Sequence, residues 1–96
     1  MFDYYGTRWK KKREKILRRD GYMSQLSKRY GKMVEAQVVH HIFPADTYPE
    51  YRWEDWNLIS VSLAEHNALH DRDTGQLSDK GKELMLRTAR KRGISL

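Results

Sequence analysis

At 96 residues the chain has room for one domain, and a domain of that size buries only about 60 to 65% of its unfolded surface. It contains no cysteine, which excludes disulfides and thiolate metal sites, and no run approaches the roughly 18 apolar residues that span a bilayer. The net charge of +6 and pI near 9.7 point to a polyanionic partner.

The charge is segregated. Arg8, Lys10, Lys11, Lys12, Arg13, Lys15, Arg18 and Arg19 crowd the N-terminal part and six further cations lie between Lys80 and Arg92, whereas Met33 to Asp79 holds nine acids against Arg52 and Arg72. Basic ends suit phosphate contacts, and an acidic centre attracts a cation. Met1 to Tyr5 lacks the basic-then-apolar order of a signal peptide, so a cytoplasmic, membrane-free protein is expected.

Thr7 is placed to cap a basic helix over about 7–19, with Trp9, Ile16 and Leu17 as its apolar face and Gly21 at its end. Tyr22 to Lys32 reads as irregular. Val34 to Ile42 is dense in Val and Ile and reads as a strand; Pro44 and Pro49 bracket a loop, and Leu58 to Ser62 alternates as a second strand. Ser62 and Glu65 form a capping-box pattern for a helix from Leu63 through His70. Ser78 caps a last helix over about 79–92, with Leu84, Met85, Leu86 and Ala89 apolar and Gly93 ending it. The expected core, about 34–71, is thus strand, loop, strand, helix within a single domain over 1–96, an α+β arrangement with flanking helices.

All four histidines fall in one 31-residue window, as His40-His41, then His66 and His70, with Asn57 between the pairs. Adjacent strand residues point to opposite faces, so His40 and His41 cannot both bind one ion; one binds and the other is free for proton transfer. His66 and His70, four apart on a helix, share a face and can each offer a nitrogen to that ion.

Val39-His40-His41-Ile42-Phe43-Pro44, Asn57-Leu58-Ile59 and His66-Asn67-Ala68-Leu69-His70 together resemble the motif of the HNH endonucleases, and Arg18-Arg19-Asp20-Gly21-Tyr22 resembles the lead-in of the phage type. The resemblance implies a small ββα-metal domain built on a two-stranded antiparallel hairpin, hydrolysing DNA phosphodiester bonds to 5′-phosphate ends with one divalent metal ion (Mg, Mn, Ni or Zn). It implies metal ligands His40, His66 and His70, a general base in His41, and an Asn57 that ties down the inter-strand loop. Many relatives hold a structural zinc on two Cys-x-x-Cys pairs; Ser24, Ser27, Ser62 and Glu65 stand at those positions here, so no structural zinc is expected and packing and hydrogen bonds must hold that segment.

The expected partner is double-stranded DNA, met by Arg8, Lys11, Lys12 and Lys15 of the first helix and by Arg52 near the site. By resemblance the enzyme is phage-encoded and linked to genome packaging through the terminase. The alternatives are a catalytically weak DNA-binding accessory of the packaging terminase, and an RNA-directed or toxin-like nuclease of the same fold.

Overall fold

Two strands, β1 (Val38–His41) and β2 (Leu58–Val61), pair as an antiparallel hairpin with helices on both faces; the structure is a computed structural model and describes all 96 residues. α1 (Thr7–Arg19) and α2 (Gln25–Lys28) precede the hairpin, and α3 (Leu63–Ala68) and α4 (Asp79–Arg92) follow it. The register sets Val38 opposite Val61, Val39 opposite Ser60, His40 opposite Ile59 and His41 opposite Leu58. Because side chains alternate along a strand, this divides the hairpin into a Val39–His41–Leu58–Ser60 face and a Val38–His40–Ile59–Val61 face. Val39 and Leu58 pack with Trp9, Ile16 and Leu17 of α1 and with Phe2, while Val61 packs with Leu69, Ile42, Phe43 and with Leu84 and Ala89 of α4. Each face has its own core, so the two adjacent histidines are presented to two different layers.

α1 is too polar to persist without this docking. Its buried residues are Trp9, Ile16 and Leu17, and its C-terminal end is fastened to β2 by Arg19. That guanidinium donates to the carbonyls of Asp55 (2.8 Å) and Leu58 (2.7 Å) and pairs with Asp20, whose carboxylate accepts from the Ser60 amide at 3.1 Å. Thr7 is not the cap: the helix starts from Gly6, which supplies no side-chain bond.

Two expectations about extended structure change. Val34–Ala36 lies outside the hairpin, because its main chain bonds to the segment after α1 instead (Ser24 N to Val34 O, 2.7 Å; Ala36 N to Tyr22 O, 2.8 Å), and contact with β2 begins only where Gln37 N donates to Val61 O (3.1 Å). Within the stretch expected to be irregular, Ser24 caps the single turn of α2 by accepting from the Ser27 amide. The second strand stops at Val61, since Ser62 is already the N-cap of α3.

Ser24, Ser27, Ser62 and Glu65 come together around one carboxylate. Glu65 accepts from Ser27 Oγ at 2.6 Å and from the Ser62 amide at 2.8 Å, and its own amide donates to Ser62 Oγ at 3.1 Å, completing the capping box. Burial works to raise the Glu65 pKa, but the hydrogen bonds from Ser24, Ser27 and Ser62 outweigh it and hold the carboxyl below its usual range. This cluster joins α2 to the start of α3 without a metal ligand of the thiolate kind.

α3 is shorter than its sequence suggests, ending at Ala68 with His70 beyond it. The entry to α4 stops it: Ser78 donates through its amide to Leu69 O (2.9 Å) and through its hydroxyl to Ala68 O (2.6 Å), taking carbonyls that exposed helix ends leave to water. Gly81 permits this approach, because a Cβ there would collide with the Leu69 carbonyl.

Candidate metal centre

His40, His66 and His70 converge on the α3 side of the hairpin. Ring centroids lie 5.4 Å apart for His40 and His66, 5.2 Å for His40 and His70, and 4.7 Å for His66 and His70. One nitrogen from each falls within 4.8 Å of the others. His40 is 1% exposed, and neither of its ring nitrogens has a hydrogen-bond partner. An imidazole buried with both nitrogens unpaired is costly unless something else uses a lone pair, and three imidazoles at this spacing suit one first-row divalent ion. Burial, followed by the nearby charges of His66, His70 and His41, pushes the His40 pKa down to about 3. Burial and His70 also lower that of His66. Both rings are therefore neutral at physiological pH and have lone pairs to give.

His70 reaches this cluster from outside the helix. Its Nδ1 lies 3.1 Å from the Gly75 carbonyl, which can only accept, so Nδ1 carries the proton and Nε2 is the free lone pair. The loop from Asp71 to Gln76 thus orients the ring; the Asp71 carboxylate braces that loop by accepting from the amides of Asp73 (2.8 Å) and Thr74 (3.1 Å).

His41 lies on the opposite face yet borders the same open cleft of about 1130 Å³, whose wall includes Tyr4, Trp9, His40, His66 and His70. Its ring stacks on Trp9 (centroids 5.1 Å apart, planes 22° apart) and meets the edge of Phe2 at 4.8 Å. Nε2 lies 3.1 Å from the Arg52 carbonyl and Nδ1 lies 3.3 Å from the Tyr4 hydroxyl. A carbonyl oxygen only accepts, so Nε2 holds the proton and Nδ1 is the basic nitrogen. Burial lowers the His41 pKa against the opposing pull of the Arg52 carbonyl and the Asp46 charge, which keeps the ring neutral.

Asn57 is fully buried at the entrance to β2 and treats Phe43 as a strand neighbour would. Its Oδ1 accepts from Phe43 N at 2.7 Å, while Nδ2 donates to the carbonyls of Phe43 (3.0 Å) and Tyr51 (3.1 Å). The main chain leaving β1 and the loop that carries Arg52 are held by this one amide, and the Arg52 carbonyl in turn meets His41.

The basic residues divide. Arg8 lies over the Trp53 ring at 3.8 Å, Lys12 and Lys15 pair with Asp55, and Lys11 is exposed; all four share one surface, bordered beyond Trp53 by Arg52. Arg52 does not line the histidine cleft, and its part there is its main-chain carbonyl. Sequence reasoning missed Tyr4, which folds back from 37 positions away to reach His41, and Arg13, which lines the cleft. The spacing of Trp9 and Arg13, one turn apart on the docked face of α1, was the available signal for the second.

No protein-family model and no curated protein matches the chain. Among solved structures, the crystal structure of the HNH endonuclease of deep-sea thermophilic bacteriophage GVE2 with manganese ion is similar, with a TM-score of 0.64 and 31% identity over 67% of this chain and 70% of that one. This level of identity and coverage agrees with the hairpin, the flanking helices and the convergent histidines, and the chain belongs to the HNH endonuclease family.

Proposed function

We propose that the protein is a phage-type, metal-dependent endonuclease that hydrolyses DNA phosphodiester bonds. The observation that carries this reading is the partition of adjacent histidines: His40 joins His66 and His70 on one face of the hairpin, while His41 sits on the other, neutral, lining the same cleft, with Nδ1 beside the Tyr4 hydroxyl. The similar phage enzyme, described with manganese, supports a divalent ion at the triad.

In this reading His40, His66 and His70 are the ligands. A bound divalent ion would supply Lewis-acid charge to the scissile phosphate and the departing 3′ oxygen. His41 accepts a proton at Nδ1 from the attacking water, while the Arg52 carbonyl holds the opposite N–H and so fixes the tautomer. Trp9 and Phe2 keep the ring from rotating, and Asn57 holds the loop that supplies the carbonyl. The basic surface of Arg8, Lys11, Lys12, Lys15 and Arg52 follows the DNA backbone by charge. One triad per chain cuts one strand per event, so a single chain nicks and leaves 5′-phosphate and 3′-hydroxyl ends.

The test is supercoiled plasmid incubated with purified protein and Mg, Mn, Ni or Zn, beside an EDTA control and His41→Ala. Metal-dependent conversion to the open circle, abolished by EDTA and strongly reduced in His41→Ala, is expected. No nicking with any metal favours the binding-accessory role instead, and undiminished nicking by His41→Ala removes the base assignment.

A further inference from the structure

Arg13 is a cation on the docked face of α1. It lies one turn beyond Trp9, the ring that stacks on His41, and just before buried Ile16 and Leu17. The residue is half-buried, lines the histidine cleft, and has no carboxylate partner; its one hydrogen bond, on the exposed side, runs from Nη2 to the Gln37 carbonyl at 2.6 Å. The two acids on the cleft wall are engaged elsewhere: Asp46 accepts from the Phe2 amide at 3.0 Å, and Asp71 accepts from the amides of its own loop. A guanidinium presents five N–H donors in a rigid fork suited to phosphate oxygens, and one that lines the cleft with no acid beside it keeps its charge and most of those donors available to an anion. By contrast Lys12 and Lys15 already have Asp55, and Arg8 has Trp53.

We infer that Arg13 contacts the reacting phosphodiester itself, holding a non-bridging oxygen with the N–H groups that Gln37 leaves free, between the base on one side and the histidine triad on the other. The inference rests on the endonuclease reading, and it sets Arg13 apart from the basic surface that grips flanking phosphates. Gln37 holds the fork by one corner at the cleft wall.

Arg13→Gln keeps a polar side chain but removes the charge, whereas Arg13→Lys keeps the charge and loses the fork. Single-turnover plasmid nicking with Mn at saturating enzyme is measured for both, with His41→Ala alongside and Arg87→Ala on α4 as a distant control. Arg13→Gln is expected to slow nicking about 10- to 100-fold, the range set by one charge-assisted hydrogen bond, with Arg13→Lys retaining more activity and Arg87→Ala unchanged. In the wild-type protein, duplex DNA should shield Arg13 from phenylglyoxal several-fold, read by peptide mass, so the inference is tested even if a variant fails to fold. Wild-type nicking by folded Arg13→Gln, equal slowing by Gln and Lys, or unprotected Arg13 overturns the inference. Wild-type nicking by His41→Ala instead overturns the base reading, whatever Arg13 does.

Discussion

The Tyr4 hydroxyl stands 3.3 Å from Nδ1 of His41, on the lone pair that remains once Nε2 is committed to the Arg52 carbonyl. Burial and the Asp46 charge raise the Tyr4 pKa, so the phenol keeps its proton and donates it. A single lone pair accepts a single donor, so if His41 is the base proposed above, an attacking water must displace this hydroxyl. Tyr4→Phe removes a hydrogen bond of about 1 kcal/mol and should raise the single-turnover nicking rate by about five-fold, without changing the melting temperature by more than a few degrees. A slower Tyr4→Phe contradicts the competition.

Asn57 holds three main-chain groups with one amide, two of them buried and the third half-buried. Asn57→Ala leaves them unpaired and should cost about 3 to 5 kcal/mol in urea unfolding, with loss of nicking. Asn57→Asp keeps the acceptor for Phe43 N but turns an oxygen toward two carbonyls, so it should also destabilise. A folded, fully active Asn57→Ala contradicts the role given to this residue.

The part of the site carried by local sequence was legible, and the part carried by distant partners was not. His40-His41 on a strand follows from alternation, and His66 on α3 follows from the capping box at Ser62 and Glu65. Their division between two faces follows from the same rule, because period-two geometry needs no knowledge of the rest of the fold. Val34–Ala36 misled because β-branched density marks extended backbone without naming its partner, here Tyr22 and Ser24. His70 was expected inside α3, yet Ser78, ten positions beyond Ala68, ends that helix. The charge run of α1 likewise gave no sign that Lys12 and Lys15 turn to Asp55 while Arg13 turns to the cleft.

Burial makes the chelated protein acid-labile. The His40 pKa is about 3 in the folded state against an ordinary 6.5, so the unfolded chain binds the extra proton first as pH falls. Stability is therefore full above 6.5 and is lost through the window down to about 3; His66 and His41, shifted in the same direction, add to the loss. Urea unfolding in EDTA should show about 2 kcal/mol less stability near pH 5 than near pH 7. An unchanged urea midpoint over that range contradicts the burial of the triad.

Gly81 reverses a familiar substitution. Gly to Ala in an exposed helix interior gains about 1 kcal/mol, but here the added Cβ meets the Leu69 carbonyl and the Leu77 side chain. Gly81→Ala should destabilise by about 1 to 3 kcal/mol in thermal or urea unfolding and, by shifting the segment that carries His70, weaken metal binding. A stabilised Gly81→Ala contradicts the close approach of α4 to α3.

The convergence of His40, His66 and His70 on one ion is tested most directly by calorimetric titration of the EDTA-stripped protein with Mn. One ion per chain is expected for the wild type, with affinity falling by about 100-fold or more in His66→Ala and by far less in His41→Ala. Wild-type affinity and stoichiometry in His66→Ala would place the metal elsewhere and contradict the account.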